Sequence, residues 1–167
     1  NAIIKSGKKA SSSAIEGISV NRLNIYNNTI NLSSSYAEAL IAYPHGNSLP
    51  YDSFSYKIAF TDNKIYLNNL QSSYGVRLQF YKNSVISGNQ IFVSNSLYSS
   101  SISVSAVNNT DISNNTLVFY NSTYYPLWLI SSPNSNLVYN NNFFVGPSNV
   151  TAIVFQDSNG NYVNNNS

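Results

Sequence analysis

Short alternations of apolar and polar residues recur along this chain, and an asparagine stands at the same place in each of them. The segment DISNNTLVF at 111–119 has counterparts in NIYNNTINL at 24–32 and VISGNQIFV at 85–93. Alternation at period two is typical of a β-strand with one buried face. The pattern therefore predicts short strands that meet at polar corners.

The repeated motif is an apolar residue, two residues of any type, asparagine, one further residue and a second apolar residue. The copies are Ile25-Asn28-Ile30, Ile65-Asn68-Leu70, Ile86-Asn89-Ile91, Ile112-Asn115-Leu117 and Val138-Asn141-Phe143, and Val163-Asn166 begins a sixth. After a first, longer interval, the copies follow one another at roughly 21 to 26 residues. Repeats of this length indicate a solenoid, in which stacked units share one continuous core.

A second apolar pair precedes the motif in the regular part of the chain. These pairs are Val76 and Leu78, Ile102 and Val104, Trp128 and Ile130, and Ile153 and Phe155. Each unit then has three short strands, which predicts an all-β fold: a parallel β-helix of about six coils. A leucine-rich repeat would show its leucine ladder, and a β-sandwich would have hairpin turns at intervals of about 8–12 residues.

The repeated asparagine is predicted to lie at a corner between two strands. Asparagine tolerates the left-handed backbone conformation of a tight corner, and its amide can bond backbone groups that the turn leaves unpaired. Amides stacked in successive coils also bond one another, as in amide ladders. The predicted ladder is Asn28, Asn68, Asn89, Asn115, Asn141 and Asn166.

These units resemble the right-handed parallel β-helix repeats of the pectate-lyase-like superfamily. The resemblance rests on a glycine-apolar opening at Gly17-Ile18 and Gly75-Val76, and on the Asn-Asn-Thr-Ile/Leu corner at 27–30 and 114–117. It covers residues 17–166 and implies the fold more than the function, because that fold carries lyases, hydrolases, phage spikes and adhesins. The composition also resembles that of secreted surface proteins of thermophilic archaea.

Two regions depart from the repeat. Residues 1–16 are predicted to be an N-terminal arm or a degenerate coil that precedes a β-helix domain at 17–167. Residues 33–55 are predicted to be an insertion, in which 40–43 form the strand of a degenerate coil. Long insertions of this kind are either functional or surface covering.

Composition places the polarity in amides and hydroxyls. The chain has 29 Asn and 30 Ser among 167 residues, whereas charged residues make up 8%, against about 25% in an average domain. There is no cysteine and no apolar run long enough to span a membrane. The basic residues form no face of the kind that nucleic-acid binders show. We expect an extracellular or cell-surface protein, mature or excised because it begins at Asn1 without methionine.

Candidate catalytic and metal-binding residues are few. The carboxylates are Glu16, Glu38, Asp52, Asp62, Asp111 and Asp157, and no two of them are predicted to share a face on adjacent coils. His45 is the only imidazole and lies in a turn-like segment near Glu38 and Asp52. We therefore predict no enzyme activity, no cofactor and no metal site.

Asparagines in Asn-x-Ser/Thr sequences are candidate glycosylation sites if the protein is secreted. They are Asn27, Asn31, Asn108, Asn114, Asn121, Asn149 and Asn165. Asn27, Asn114 and Asn165 come directly before a ladder position, at an outward corner. The alternative is that they are unmodified corner residues.

Outward apolar residues predict contact surfaces. Phe92, Val118 and Phe144 face outward in consecutive coils, and Leu129 and Val154 are predicted to do so on another strand, unless turns bearing Tyr98, Tyr124 and Tyr125 cover them. Phe155 belongs to the inward pair of the last coil, which nothing in the sequence covers. We expect the C-terminal end to contact copies of this chain, a neighbour's N-terminal arm or further chain. The favoured function is a structural, self-associating domain of a cell-surface, filament or virion protein. The alternatives are a glycan-binding adhesin or spike, and a polysaccharide lyase or hydrolase.

Overall fold

The computed structural model of the protein is a parallel β-solenoid. The structure describes residues 2–5, 12–18, 20, 22–33, 35–43, 57–68, 70–132, 136–147 and 150–167. All regular secondary structure in these segments is β, and every strand pair is parallel. None of these segments contains a helix that could cross a bilayer.

In this part of the chain, eighteen strands form three six-stranded sheets, which the chain visits in the constant order A, B, C. Sheet A contains β1 (Ala2–Lys5), β4 (Thr29–Leu32), β7 (Lys64–Asn68), β10 (Gln90–Ser94), β13 (Thr116–Tyr120) and β16 (Asn142–Val145). Sheet B contains β2 (Ser12–Ile18), β5 (Tyr36–Tyr43), β8 (Ser72–Gln79), β11 (Ser99–Ser105), β14 (Leu127–Ile130) and β17 (Ile153–Gln156). Sheet C contains β3 (Arg22–Tyr26), β6 (Lys57–Thr61), β9 (Val85–Ser87), β12 (Asp111–Ser113), β15 (Leu137–Tyr139) and β18 (Tyr162–Asn164). The predicted fold class, a β-helix, is confirmed.

The coils of the central part of the chain have a constant length. Corner side chains that bond one another in successive coils are separated there by |i−j| = 26. In sheet A, Ile65 pairs with Ile91 and Ile91 pairs with Leu117 at this interval, and in sheet C Ile86 pairs with Ile112. Because the strands pair in parallel at a constant interval, each inward apolar residue stacks on another, and these side chains are fully buried.

The first coil and part of the predicted insertion belong to the solenoid, as the alternative of a degenerate coil and the predicted strand at 40–43 require. Strands β1 and β2 stack on β4 and β5, so the described residues before Gly17 belong to the solenoid. Strand β5 lies inside the predicted insertion at 33–55. Leu40 pairs with Val76 at a longer interval, whereas Ala59 pairs with Val85 at the regular one, so the extra residues lie between Leu40 and Ala59. Residues 44–56, which include His45 and Asp52, lie outside the described residues.

The alternation in β14 is one residue out of the predicted phase. Ile102 pairs with Leu127, one position short of the regular interval, so the inward residues of β14 are Leu127 and Leu129 and not Trp128 and Ile130. Both leucines are fully buried. Leu129 therefore belongs to the core, and its assignment to an outward surface was wrong. A shift of one residue moves every side chain of a strand to its other face.

Candidate functional site

An asparagine ladder runs along the solenoid at the corner between sheets C and A. The amide oxygen of Asn115 accepts hydrogen bonds from the backbone N–H and the side-chain amide of Asn89, both at 3.0 Å. Its own Nδ2 donates to Asn141 and to the carbonyl oxygen of Ile86, both at 2.9 Å. Each fully buried amide thus satisfies backbone groups in adjacent coils.

The ladder differs from the prediction in one member, which is Asn63 and not Asn68. Asn63 is fully buried and bonds Asn28 on one side and Asn89 on the other, whereas Asn68 is exposed at the end of β7. The motif also reads as Phe60-Asn63-Ile65, in which Phe60 pairs with Ile86 at the regular interval. The ladder is Asn28, Asn63, Asn89, Asn115, Asn141 and Asn166.

The residue before each ladder asparagine, and not the asparagine itself, adopts the left-handed conformation. Asn114 has φ 55° and Asn140 has φ 53°. The other positive-φ residues of this corner are Asn27, Asp62, Gly88 and Asn165. Such a residue turns the chain, and the next side chain then points inward.

Serine side chains bond the backbone in a similar way at the corner after sheet A. The hydroxyl of Ser122 accepts the backbone N–H of Ser96 at 3.1 Å and donates to the Tyr120 carbonyl at 2.9 Å. Asn95 and Asn121, which precede these serines, both have positive φ. The abundant amides and hydroxyls therefore have a structural use, because they pair the backbone at the corners.

All charged residues in the described strands of sheet B lie on the outward side of that sheet. Glu16 and Glu38 lie on adjacent strands β2 and β5, so the expectation that no two carboxylates share a face on adjacent coils was wrong. Glu38 forms an ion pair of 3.0 Å with Arg77, which lies 5.0 Å from the ring centre of Tyr74. Glu16 accepts a hydrogen bond of 2.8 Å from Tyr43. This bond raises the pKa of Tyr43 above its ordinary value, and desolvation and the charges of Glu16 and Glu38 act in the same direction.

An aromatic cluster continues this surface toward the C-terminus. The rings of Tyr124 and Trp128 meet edge to face at 4.9 Å, and Tyr125 lies 4.8 Å from Tyr124 and 5.9 Å from Trp128. Burial raises the pKa of the Tyr124 hydroxyl, with smaller effects of Tyr74 and Tyr125. We call Glu38, Tyr74, Arg77, Tyr124, Tyr125 and Trp128 the sheet B surface.

The predicted apolar row lies on the outward side of sheet A. The strand pairing aligns Tyr66, Phe92, Val118 and Phe144 across four coils. The rings of Tyr66 and Phe92 are stacked at 4.9 Å, and Phe144 is 59% exposed. Tyr124 and Tyr125 pack on Trp128 of sheet B instead of covering this row. A shallow groove of about 400 Å³ borders Val118 and Phe144.

The last coil, which comprises β16, β17 and β18, exposes positions that are buried elsewhere. Val163 pairs with the buried Val138 and is 50% exposed, and Phe155 pairs with the buried Leu129 and is 36% exposed. Val154 faces outward beside Trp128 and is half-buried. The outer edge of this coil also carries backbone groups that no strand of the described residues pairs.

The candidate glycosylation sites lie in different environments. Asn27, Asn114 and Asn165 are exposed corner residues with positive φ, as is Asn121, whose amide donates to Asn95 at 2.8 Å. Asn31 and Asn108 are half-buried, and Asn149 lies outside the described residues.

No group of three potential metal ligands among His, Cys, Asp and Glu is found within the described segments. Comparison of the chain with protein families, characterised proteins and solved structures found no match. The geometry of the described segments defines a parallel β-solenoid with a polar ladder inside and two distinct outward surfaces.

Proposed function

We propose that this chain is a non-enzymatic structural domain or subunit of a secreted cell-surface, filament or virion protein. It extends by stacking further coils, from a second copy or from continuing polypeptide, on its last coil. The observation that carries the proposal is the exposure of Phe155 and Val163 at positions that are core in the preceding coils.

Physical complementarity supports coil-on-coil stacking. A further set of three strands would pair the free backbone edge and cover both side chains, as each coil does for the one before it. In a head-to-tail contact the two surfaces differ, so the assembly continues unless its rotation closes a ring. The described strands β16–β18 carry no charged residue that would oppose such pairing.

The amide-rich corners support an extracellular structural role. Their hydrogen bonds do not depend on the ionisation of a side chain, so they persist over a wide range of pH. We further propose that the fold is a right-handed β-helix similar to the pectate-lyase-like superfamily, and that exposed Asn27 and Asn114 carry glycans in a glycoprotein. An archaeal origin rests on the composition alone.

The test of the structural proposal is the particle state of the chain. Sedimentation and electron microscopy of the unmodified chain should show concentration-dependent, end-to-end oligomers. A chain with Phe155→Lys and Val163→Lys should be monomeric, whereas Tyr120→Lys, a change at an exposed side position in β13, should leave assembly intact. A dilute and a concentrated sample of the unmodified chain that are both monomeric would refute stacking of a second copy on the last coil.

The second candidate function is a glycan-binding adhesin or spike. It is favoured by the sheet B surface, where aromatic rings lie beside an ion pair. The third, a polysaccharide lyase or hydrolase, is supported only by the proximity of Glu16 and Glu38 on adjacent strands. Release of reducing ends or unsaturated products from pectin, alginate or capsule, abolished by Glu38→Gln, would establish the enzyme in place of the structural protein.

A further inference from the structure

The turn that precedes β14 is strained where the sheet B surface is most aromatic. Asn95 and Asn121 occupy equivalent corners at the regular interval, but Ile102 and Leu127 pair one position short of it, so this turn is one residue shorter than its predecessor. Tyr124 lies in the shortened turn and has φ 96°, beyond the 44–61° of all other non-glycine positive-φ residues among those described. A side chain held in such a conformation is uncommon outside functional sites.

Buried polar atoms without partners lie at the same place. The indole Nε1 of Trp128 and the hydroxyl oxygen of Ser100, which pairs with the outward Tyr74, are enclosed and make no hydrogen bond. Ser103, which pairs with Trp128 across the sheet, is 4% exposed. Because an unpartnered buried donor is costly, a state in which the tyrosine rings move aside and a ligand hydroxyl reaches these atoms is favoured by new hydrogen bonds.

The geometry points to a binding site for a neutral oligosaccharide on the sheet B surface, an inference that rests on the second candidate function, glycan binding. The rings of Tyr124, Tyr125 and Trp128 provide apolar area that fits the C–H face of a pyranose ring. The hydroxyl groups of a sugar need donors and acceptors close to that face. Ser100, Arg77 and Glu38 supply both, because hydroxyl and carboxylate oxygens accept while the guanidinium donates.

The dimensions and charge of the surface select the ligand class. From β5, which carries Glu38, to β14, which carries Trp128, there are three strand spacings, or about 14 Å, so the site spans several sugar units. Arg77 is neutralised by Glu38, and Glu16 leaves one further negative charge on the described strands of sheet B. Acidic sugars therefore meet no net positive charge, and neutral ones are favoured.

The only tryptophan of the chain is in this site, so its fluorescence reports binding directly. The unmodified chain is titrated with cellohexaose, maltohexaose and xylohexaose, and with trigalacturonate as the acidic comparison. We expect a saturable change in Trp128 emission with at least one neutral hexaose, and at least tenfold weaker binding of trigalacturonate. No change with any neutral hexaose, or equal binding of the acidic trimer, would overturn the assignment.

Matched variants place the binding at this surface. Tyr124→Ala and the paired change Glu38→Gln with Arg77→Gln should each lower the affinity at least tenfold. Tyr26→Ala removes a ring that is 68% exposed on sheet C and should leave the affinity unchanged. If Tyr124→Ala does not fold, the paired variant, which removes both charges together, still tests whether the ligand binds at the sheet B surface. Equal effects of Tyr26→Ala and the sheet B variants would contradict the site. This test is independent of assembly, which is assigned to the last coil.

Discussion

Removal of a single ladder amide should destabilise the protein far more than removal of an exposed asparagine. The change Asn115→Ala eliminates four hydrogen bonds: two accepted from Asn89, and one donated to each of Asn141 and the Ile86 carbonyl. The backbone N–H of Asn89 and one of its amide hydrogens then lose their only acceptor in a fully buried corner. At about 1–3 kcal/mol for each orphaned donor, the free energy of unfolding should fall by about 2–6 kcal/mol.

The matched control is Asn24→Ala. Asn24 is exposed in β3 and its backbone is extended, so the substitution should cost less than about 0.5 kcal/mol. Chemical denaturation of both variants, monitored by circular dichroism, measures the difference. Equal destabilisation by Asn115→Ala and Asn24→Ala would refute the ladder.

Energetic coupling between neighbouring ladder asparagines provides a second test of the ladder. Asn89 and Asn115 share two hydrogen bonds, so the double variant Asn89→Ala with Asn115→Ala should cost clearly less than the sum of the single changes. Asn28 and Asn115 do not touch, and their effects should add. If the losses of stability added strictly in both pairs, direct hydrogen bonding between Asn89 and Asn115 would be contradicted.

Three other predictions follow from close contacts, burial and charge. An added Cβ at Gly75 would overlap the Ser101 carbonyl oxygen, so Gly75→Ala should lower stability by about 3 kcal/mol, whereas Gly17→Ala, at 3.2 Å from a Leu23 methyl group, should cost less; thermal melting of both variants checks this. Leu129→Ala should lower the free energy of unfolding by about 2–5 kcal/mol and Ile130→Ala by less than half as much, because Leu129 is the buried residue. If chemical denaturation showed the larger loss for Ile130→Ala, Ile130 and not Leu129 would face the core. The pKa of Tyr43 is raised, so the stability it contributes is present below the ordinary tyrosine pKa of 10.0 and is lost as the pH rises through the raised value. Glu16→Gln should lower the Tyr43 pKa, and NMR titration of labelled tyrosine would disprove the contact if the pKa did not move.

The solenoid could be predicted from the sequence because its repeat is dictated by packing. Each coil must place an apolar residue on either side of a corner amide, and the spacing of Ile86, Ile112 and Val138 preserves that order. Asn68 fits the motif as well as Asn63 does, because Ile65 and Leu70 flank Asn68 as Phe60 and Ile65 flank Asn63. The two alternatives are locally equivalent, and only the constant length of the coil distinguishes them.

The phase of β14 could not be obtained from its own residues. Tryptophan, leucine and isoleucine follow one another at 128–130, so either alternation places apolar side chains inward. The phase is set by the preceding turn, which is one residue shorter than its counterpart in the coil before and contains Tyr124 with a positive φ. Positive φ at the residue before each corner amide was also missed, although the asparagine, aspartate and glycine found there are the residue types that favour it.

The sheet B surface was not predicted because its parts are distant in sequence. Glu38 and Arg77 are 39 residues apart, and the extra residues after Leu40 conceal the pairing that joins their strands. Tyr124 and Tyr125 were one alternative cover for the outward apolar residues of both strands, and they pack on Trp128 of sheet B.

Engineered disulfides test the central claim, the stacking of coils at a constant interval, most directly, since the chain has no cysteine of its own. Tyr66 and Phe92 are directly paired outward residues of β7 and β10, so Tyr66→Cys with Phe92→Cys places two Cα atoms about 5 Å apart, within disulfide range. Tyr66→Cys with Ser94→Cys is offset by two positions, about 8 Å, which is too far. The account predicts rapid and complete oxidation of the first pair and little of the second under the same mild oxidant. Preferential oxidation of the offset pair, or none of either, would contradict it.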